Sequence, residues 1–557
     1  MAELPKPFWR RRWVKWATGA SLLALAVAAG LVEIGLRRTE PFLRARIVEG
    51  IQNRFQARVE LDSFHISLVD GLWAEGKGLR IWPPAQVAGV GVPAGQGEPL
   101  IRLAEFRFHT PLHYRPGQPI HVSVVQLIGL SIHLSPQSYF EHRSPNASQA
   151  PASQTPSQPK SAMAALVSFN VNSIECTGAD LVMETSKPGK LPLQFAVAHL
   201  KLTNIASGGA MKYEADLTNP RPVGLIHATG SFGPWQTADP GESPLTGDYR
   251  FDHADLASFK GVAGILSSTG HFEGTLRNLT VDGQTQTPDF RLTHFGHAMK
   301  LTTRFHAQVD GTNGDTWLQP VDATLGHSHF IAQGAVVRVL STEAGDTTPH
   351  SIGHDIALAV NVDKARIEDF LHLASHSETV LMTGDVRVKT ALHIPPAPEP
   401  VHERLKLNGW FALDKVRFNS AKMQGRIAEL SLRGQGHPDE VKTTDPASIL
   451  SQMQGSFQMA SGTVTLPALE FTVPGAKIEL KGAYGVEGGT LNFVGKAKLE
   501  ASVSRIVGGW KGLLISPVDR YFKKDGAGTE LPIHIEGTRE QPEFGVDFNR
   551  MKLGEQQ

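Results

Sequence analysis

The chain carries 23 histidines among 557 residues, enough to require a search for metal or acid–base chemistry. Their closest groupings are His294-Phe295-Gly296-His297, His327-Ser328-His329 and His372-x-x-x-His376. On a strand, His327 and His329 would share one face, as two ligands of one metal can. No Cys, Asp or Glu stands at a recognisable ligand spacing from them, so solvated or structural histidine explains the pattern better. Asp310-x-x-Asn313-x-Asp315 lacks the alternation and the closing Glu of a calcium loop. Its Asn313-Gly314 pair marks a hairpin turn instead. The glycine-rich stretch 89–97 lacks dinucleotide-loop spacing, and no helical pattern follows it. The chain contains no H-E-x-x-H, no Walker loop and no G-x-S-x-G. A single cysteine, Cys176, excludes an internal disulfide framework and a multi-cysteine zinc site, and reads as a small buried residue. The two carboxylates of a glycosidase come from distant positions and leave no local signature, so that alternative stays open. The motifs supply no catalytic residue, no cofactor-binding residue and no metal ligand, and the chain reads as a non-enzyme without a cofactor.

The elements that could act without such groups begin at the N-terminus. Trp16 to Val32 is free of charge over 17 residues, about 25 Å of helix at 1.5 Å per residue. Extended to residues 13–36, it reads as a single transmembrane anchor built on Trp13, Trp16, Leu22, Leu23, Leu25, Val27, Leu31 and Val32. Trp13 and Trp16 occupy interfacial aromatic positions. Arg10, Arg11, Arg12 and Lys15 precede the run and place residues 1–12 in the cytoplasm by the positive-inside bias. The alternative is a cleaved signal peptide at Ala26-Val27-Ala28, but the apolar run continues past that site. Both readings export the remainder. The 54 basic and 54 acidic residues cancel, which argues against nucleic acid as a partner.

Leu43, Ile47, Ile51 and Phe55 form one stripe of an amphipathic helix over 41–56, facing a sheet or the membrane surface. Beyond it the pattern has period two. IRLAEFRFHT, LTTRFHAQVDG, DIALAVNVDK, DVRVKTALHI, LKLNGWFALDKVRF, IAELSLRG, GTVTLPALEFTV, AKIELKGAYGV, TLNFVGKAKLEASV and LPIHIEG each read as a strand with one apolar face. Their succession predicts an antiparallel meander. Residues 134–162 are a Ser/Pro/Gln/Ala tract that reads as a loop or linker, and 83–99 is a shorter Gly/Pro stretch. Residues 499–522 have helical spacing at Val503, Ile506, Val507, Trp510 and Leu513. Two internal repeats stand out. Asp252-x-Ala254-x-Leu256-x-x-Phe259 recurs as Asp363-x-Ala365-x-Ile367-x-x-Phe370, and Gly283-x4-Pro288-Asp289-Phe290 matches Gly537-x4-Pro542-Glu543-Phe544. An Asp-led short helix followed by strands therefore looks like a unit used more than once.

The order of these stretches resembles the AsmA-like family of bacterial envelope proteins. The N-terminal likeness lies in the anchor, the amphipathic helix and then Gly71-Leu72 and Gly78-Leu79-Arg80-Ile81. The C-terminal likeness lies in GSFQMASGTVTLPALEFTVPGAKIELKGAYGVEGGTLNFVGKAKL, a helical region, and an ending marked by Gly537, Thr538, Pro542 and Phe544. The resemblance implies a mainly β protein: an elongated, folded antiparallel sheet, groove-like or taco-like, with a transmembrane helix and a few short amphipathic helices. It divides the chain into a basic tail (1–12), anchor (13–36), N-terminal helix and strands (37–133), Ser/Pro tract (134–162), repeated β-region (163–400), family-like C-terminal region (401–550) and tail (551–557). It places the chain in a bacterial inner membrane with its bulk in the periplasm. In the related TamB-like and bridge-like lipid transfer proteins, such a sheet forms an apolar groove for acyl chains. The expected partners are phospholipids or other membrane lipids and the membrane itself. From alternation alone, the commoner outcome is that the apolar faces pack on one another as a sandwich core, and only the resemblance lifts the groove above it. Two other readings remain: a scaffold or assembly factor binding envelope proteins, and an anchored β-solenoid acting on polysaccharide.

Overall fold

The structure, a computed structural model, describes residues 40–52, 57–67, 72–82, 99–110, 120–134, 169–183, 193–340, 351–506 and 528–546, apart from positions 42, 206–208, 235, 237–239, 260, 294, 376, 398, 503–504 and 539–540. Of the described residues, 68% lie in strands. The chain divides into two compact units: residues 1–186, 194–217 and 229–244 in the first, and 187–193, 218–228 and 245–557 in the second. The expected anchor at 13–36 and basic tail at 1–12 lie outside the described residues. Among those described, no helix is long and apolar enough to cross a membrane.

The first unit opens with helix α1 (40–52). Its Ile47 and Ile51, both on the predicted stripe, pack with Val48 against a buried core, so the stripe faces the sheet. Strands β1 (Val59–Glu60) and β2 (Ser63–Ser67) pair with β3 (Leu72–Ile81), followed by β4 (Ile101–Thr110), β5 (Ile120–Leu134) and β6 (Phe169–Met183). Next in the chain are β7 (Leu193–Thr203), β8 (Met211–Pro220) and β9 (Val223–Phe232). Ala74 and Leu79 of β3, Leu103 and Phe106 of β4, and Val122 and Leu130 of β5 are buried together with Cys176. Burial pushes the Cys176 thiol up from its ordinary value.

One pairing departs from the expected meander. β5 and β6 run parallel, from Ile120 opposite Phe169 to Leu134 opposite Met183. A parallel neighbour needs a crossover of a dozen or more residues. The connection between β5 and β6 is the stretch that contains the Ser/Pro tract, so the strands on either side of 134–162 are direct partners.

The second unit is an antiparallel ladder. Its strands are β10 (Pro244–Asp255), β11 (Val262–Ala263), β12 (Ile265–Thr275), β13 (Asn278–Leu292), β14 (Phe295–Val309), β15 (Thr316–Leu325), β16 (Ser328–Leu340), β17 (Ser351–Arg366), β18 (Met382–Ile394) and β19 (Lys406–Phe418). They continue as β20 (Ser451–Ala460), β21 (Thr463–Val473), β22 (Ala476–Gly485), β23 (Thr490–Leu499), β24 (Thr529–Thr538) and β25 (Pro542–Val546). From β12 onward each strand pairs with the next in sequence. Helices α2 (Ile367–Ala374), α3 (Val401–Arg404) and α4 (Ala421–Gln435) interrupt the ladder.

The stretch IAELSLRG, expected as a strand, lies inside α4. Its alternation coexists with a helical stripe: Gln424, Ala428, Ser431 and Leu432 are buried at i, i+4, i+7 and i+8. Caps decide the outcome. The Ser420 hydroxyl accepts from the Met423 N–H, and Gly436 closes the helix at φ 84°. The first repeat marks the strand ends that feed helices. After Ala254, a 3-10 turn follows at Leu256–Ser258; after Ala365, α2 follows. A third copy, Asp414-Lys415-Val416, precedes α4 and escaped the sequence reading. Ala254, Ala365 and Val416 are all buried. The second repeat is not a structural one. Gly283 and Phe290 lie within the single strand β13, whereas Gly537 and Pro542 face each other across the β24–β25 hairpin.

The two helices close one rim of the sheet. Ile367 and Phe370 of α2 pack on buried Val362, Ala365, Val386, Leu413 and Val416. Ile427 and Leu430 of α4, with Ile506, pack on Val473, Ala476 and Leu499. A carboxylate pins α2: buried Asp369 accepts from the Ser328 hydroxyl at 2.7 Å and from the His327 N–H at 3.0 Å. Leu413→Ala at this rim is expected to cost about 2–5 kcal/mol by urea unfolding. Leu358→Ala, on the half-buried stretch away from it, is expected to cost only about 1 kcal/mol. Equal, large costs would mean that the whole face is sealed.

Candidate functional site

The site is the apolar face of the second unit, and strand register builds it. One row of directly opposed residues runs Leu358, Leu392, Leu407, Met459, Val464, Tyr484 and Leu491 across seven neighbouring strands. A second runs Val362, Val388, Phe411, Gly455, Leu469, Leu480, Gly495 and Ile533. Opposed residues share a face, and each strand contributes alternate positions. Next to the helical rim the face is buried at Val362, Ala365, Val386, Leu413 and Val416, and further out Met459 is buried as well. Away from the rim Leu358, Leu392, Phe411, Leu469, Leu480 and Ile533 are only half-buried. A sealed sandwich core would bury them fully.

The sheet is curled, and one contact shows that the second unit bends across this face. β10 and β17 are six ladder steps apart, about 29 Å on a flat sheet at roughly 4.8 Å per step. Yet the ring of Phe259, four residues beyond β10, lies 6.0 Å from that of His354 in β17. The N-terminal end of the face is more polar. The Tyr249 hydroxyl bonds Ser268 Oγ at 3.0 Å, and the Thr285 and Thr303 hydroxyls meet at 2.7 Å. Burial raises the Tyr249 phenol above its ordinary value, against the Ser268 hydrogen bond.

The opposite face is solvated and crossed by ion pairs. Asp248–His271 (2.9 Å), Asp282–His306 (2.8 Å), Asp355–His393 (2.7 Å), Asp414–Arg387 (3.0 Å) and Glu530–Lys496 (3.1 Å) each link neighbouring strands. The Lys498 ammonium donates to Glu479 at 2.7 Å and holds that carboxyl below its ordinary value.

The histidine groupings do not converge. His327 lies in the β15–β16 turn near Asp369, while His329 reaches Asp322 at 3.4 Å. His297 and His372 stack edge to face at 5.7 Å, and His294 and His376 lie outside the described residues. Among the described residues no three His, Cys, Asp or Glu side chains are placed to hold a metal. Asp310, Asn313 and Asp315 build a turn: Asn313 donates to Asp310 at 2.9 Å, and Asn313 Oδ1 accepts from the Asp315 N–H at 2.8 Å. Trp13, Trp16, Leu22, Leu23, Leu25, Val27, Leu31, Val32, Arg10, Arg11, Arg12 and Lys15 lie outside the described residues. Gly537 (φ 95°) and Thr538 turn the chain from β24 into β25, where Pro542 opposes Gly537 and Phe544 is registered against Ile535. These four residues therefore form the last hairpin of the ladder. Comparison of the chain with protein-family models, curated proteins and solved structures yields no match.

The ion pairs make a checkable prediction. The Glu479 carboxyl is depressed in the folded state, so its contribution is present above the unfolded value of 4.5 and is lost as pH falls through the lower folded value. Lys498→Met should lower the melting temperature slightly at pH 7. The difference should close as pH is taken toward about 2 and in about 1 M salt.

Proposed function

We propose that the second unit holds hydrocarbon chains of membrane lipids along its half-buried apolar face, and that the chain serves lipid homeostasis of a bacterial envelope. The observation that carries this is one continuous apolar surface, many strands wide, that its own side chains leave partly uncovered. A lipid tail needs only such a lining and exclusion of water. Each methylene removed from water contributes about 0.8 kcal/mol, so much of a chain bound there offsets extraction from a bilayer without any catalytic group. The reading includes the 13–36 anchor with a cytoplasmic N-terminus, a periplasmic bulk and no enzymatic step. The AsmA-like order of the sequence supports the same assignment.

The test is mass spectrometry of organic extracts from the purified full-length chain. Phospholipid should co-purify near stoichiometrically and fall several-fold in Leu358→Asp and Phe411→Asp, which place charge on the face. A protein partner retained without lipid would turn the reading to a scaffold. Saccharide turnover abolished by replacing one carboxylate would turn it to an enzyme.

A further inference from the structure

The apolar face does not end on apolar residues everywhere. On β16 and β17, Val336 opposes Ile356, and two residues further along the same face Arg338 opposes His354. The Phe259 ring stands edge-on to His354 at 6.0 Å. Over the Phe259 ring, at 5.6 Å, lies the guanidinium of Arg221, which also donates to the Ser258 carbonyl at 3.0 Å. Two residues after Phe259, Gly261 abuts Val401 so closely that an added Cβ would meet the Val401 Cβ at 2.7 Å. Val401 begins the single turn of α3, and Arg404 ends it. Three arginines from three separate segments are thus gathered where one rim of the apolar face stops.

We infer that Arg221, Arg338 and Arg404 form a binding site for the phosphate of an anionic amphiphile whose hydrocarbon chain lies on the adjoining apolar face. This rests on the hydrocarbon-binding reading above and adds the chemistry of the head group. Guanidinium forks suit phosphate because their planar donors meet its oxygens in pairs. Arg404 spends donors on the carbonyls of Pro395 and Glu399, which hold its fork in place. The acidic groups nearby are Asp315, bonded to the Arg338 N–H at 3.0 Å, and Glu399 beside Arg404. Burial disfavours the charged form of Arg338 and of Arg404 and the Arg221 charge adds to it, while Asp315 beside Arg338 and Glu399 beside Arg404 oppose it. Arginine stays protonated regardless, so three cations meet two carboxylates here, and a bound anion balances the remaining positive charge. Pairing a desolvated guanidinium with phosphate next to a hydrocarbon lining is the arrangement that an amphiphile with a phosphorylated head satisfies at both ends.

The test measures binding of oleoyl lysophosphatidate, monooleoylglycerol and inorganic phosphate to the full-length chain in detergent. The variants are Arg221→Gln, which alters an exposed side chain, Arg338→Gln, Arg404→Gln and the conservative Arg338→Lys, each checked for an unchanged melting temperature. The phosphorylated lipid should bind about tenfold or more tightly than the neutral one, and each Gln variant should lose about tenfold for it alone. Arg338→Lys should recover part of that loss. Variants that bind lysophosphatidate like the parent, with both lipids still bound, would overturn the head-group site and leave the hydrocarbon face standing. Inorganic phosphate bound as tightly as lysophosphatidate would overturn the lipid source of the anion. Neither lipid bound by the parent would overturn the hydrocarbon reading itself, and this inference with it.

Discussion

Everything in the second unit depends on register. A strand turns every side chain to the other face if it slips by one residue. The apolar surface exists only because consecutive strands stay aligned from β12 to β25. The ladder nonetheless carries bulges, and these are matched. β15 has one residue more than both β14 and β16 around Gln319-Pro320, β19 one more than β18 and β20 around Asp414-Lys415, and β21 one more than β20 and β22 around Pro467-Ala468. Because both neighbours skip the same extra residue, the face is preserved on either side. A bulge bends its strand and increases twist, which is how a sheet can curl while keeping its apolar residues together.

Positive-φ residues at strand ends also organise the helices. In Asp252-His253-Ala254 and Asp414-Lys415-Val416, the middle residue has positive φ (56° and 53°). The strand is thereby re-aimed, and the small residue after it is driven into the rim before the chain turns helical. Helices are confined to what the rim needs: α2 and α4 cover the buried ends of the strands and leave the middle of the face uncovered. The first unit handles the same alternation differently. There α1 lies over the sheet, and side chains such as Phe106 and Val122 are closed into a core.

Much of this was legible from alternation. IRLAEFRFHT is β4 residue for residue, and the stripe of Ile47 and Ile51 found its sheet. What alternation could not show was topology and exception. A period-two pattern is the same whether a strand meets its neighbour parallel or antiparallel, so β5–β6 was invisible. IAELSLRG satisfied both periods, and only its caps separate them. Pro288, Pro320 and Pro467 would normally demote a strand, yet each stands at a register shift, where a missing N–H costs no ladder bond. The arginine cluster joins residues 221, 338 and 404, brought together only by the bend of the sheet, and no local spacing could announce it.

Guest hydrocarbon should lie on one face of this ladder and not the other. Photo-crosslinking side chains placed singly along β19, on chain purified from a membrane-containing host, would read this directly. Positions 407 and 411 should capture lipid, and 408 and 410, one residue away on the solvated face, should not. Capture at all four alike, or at none, would rule out a lipid-binding face.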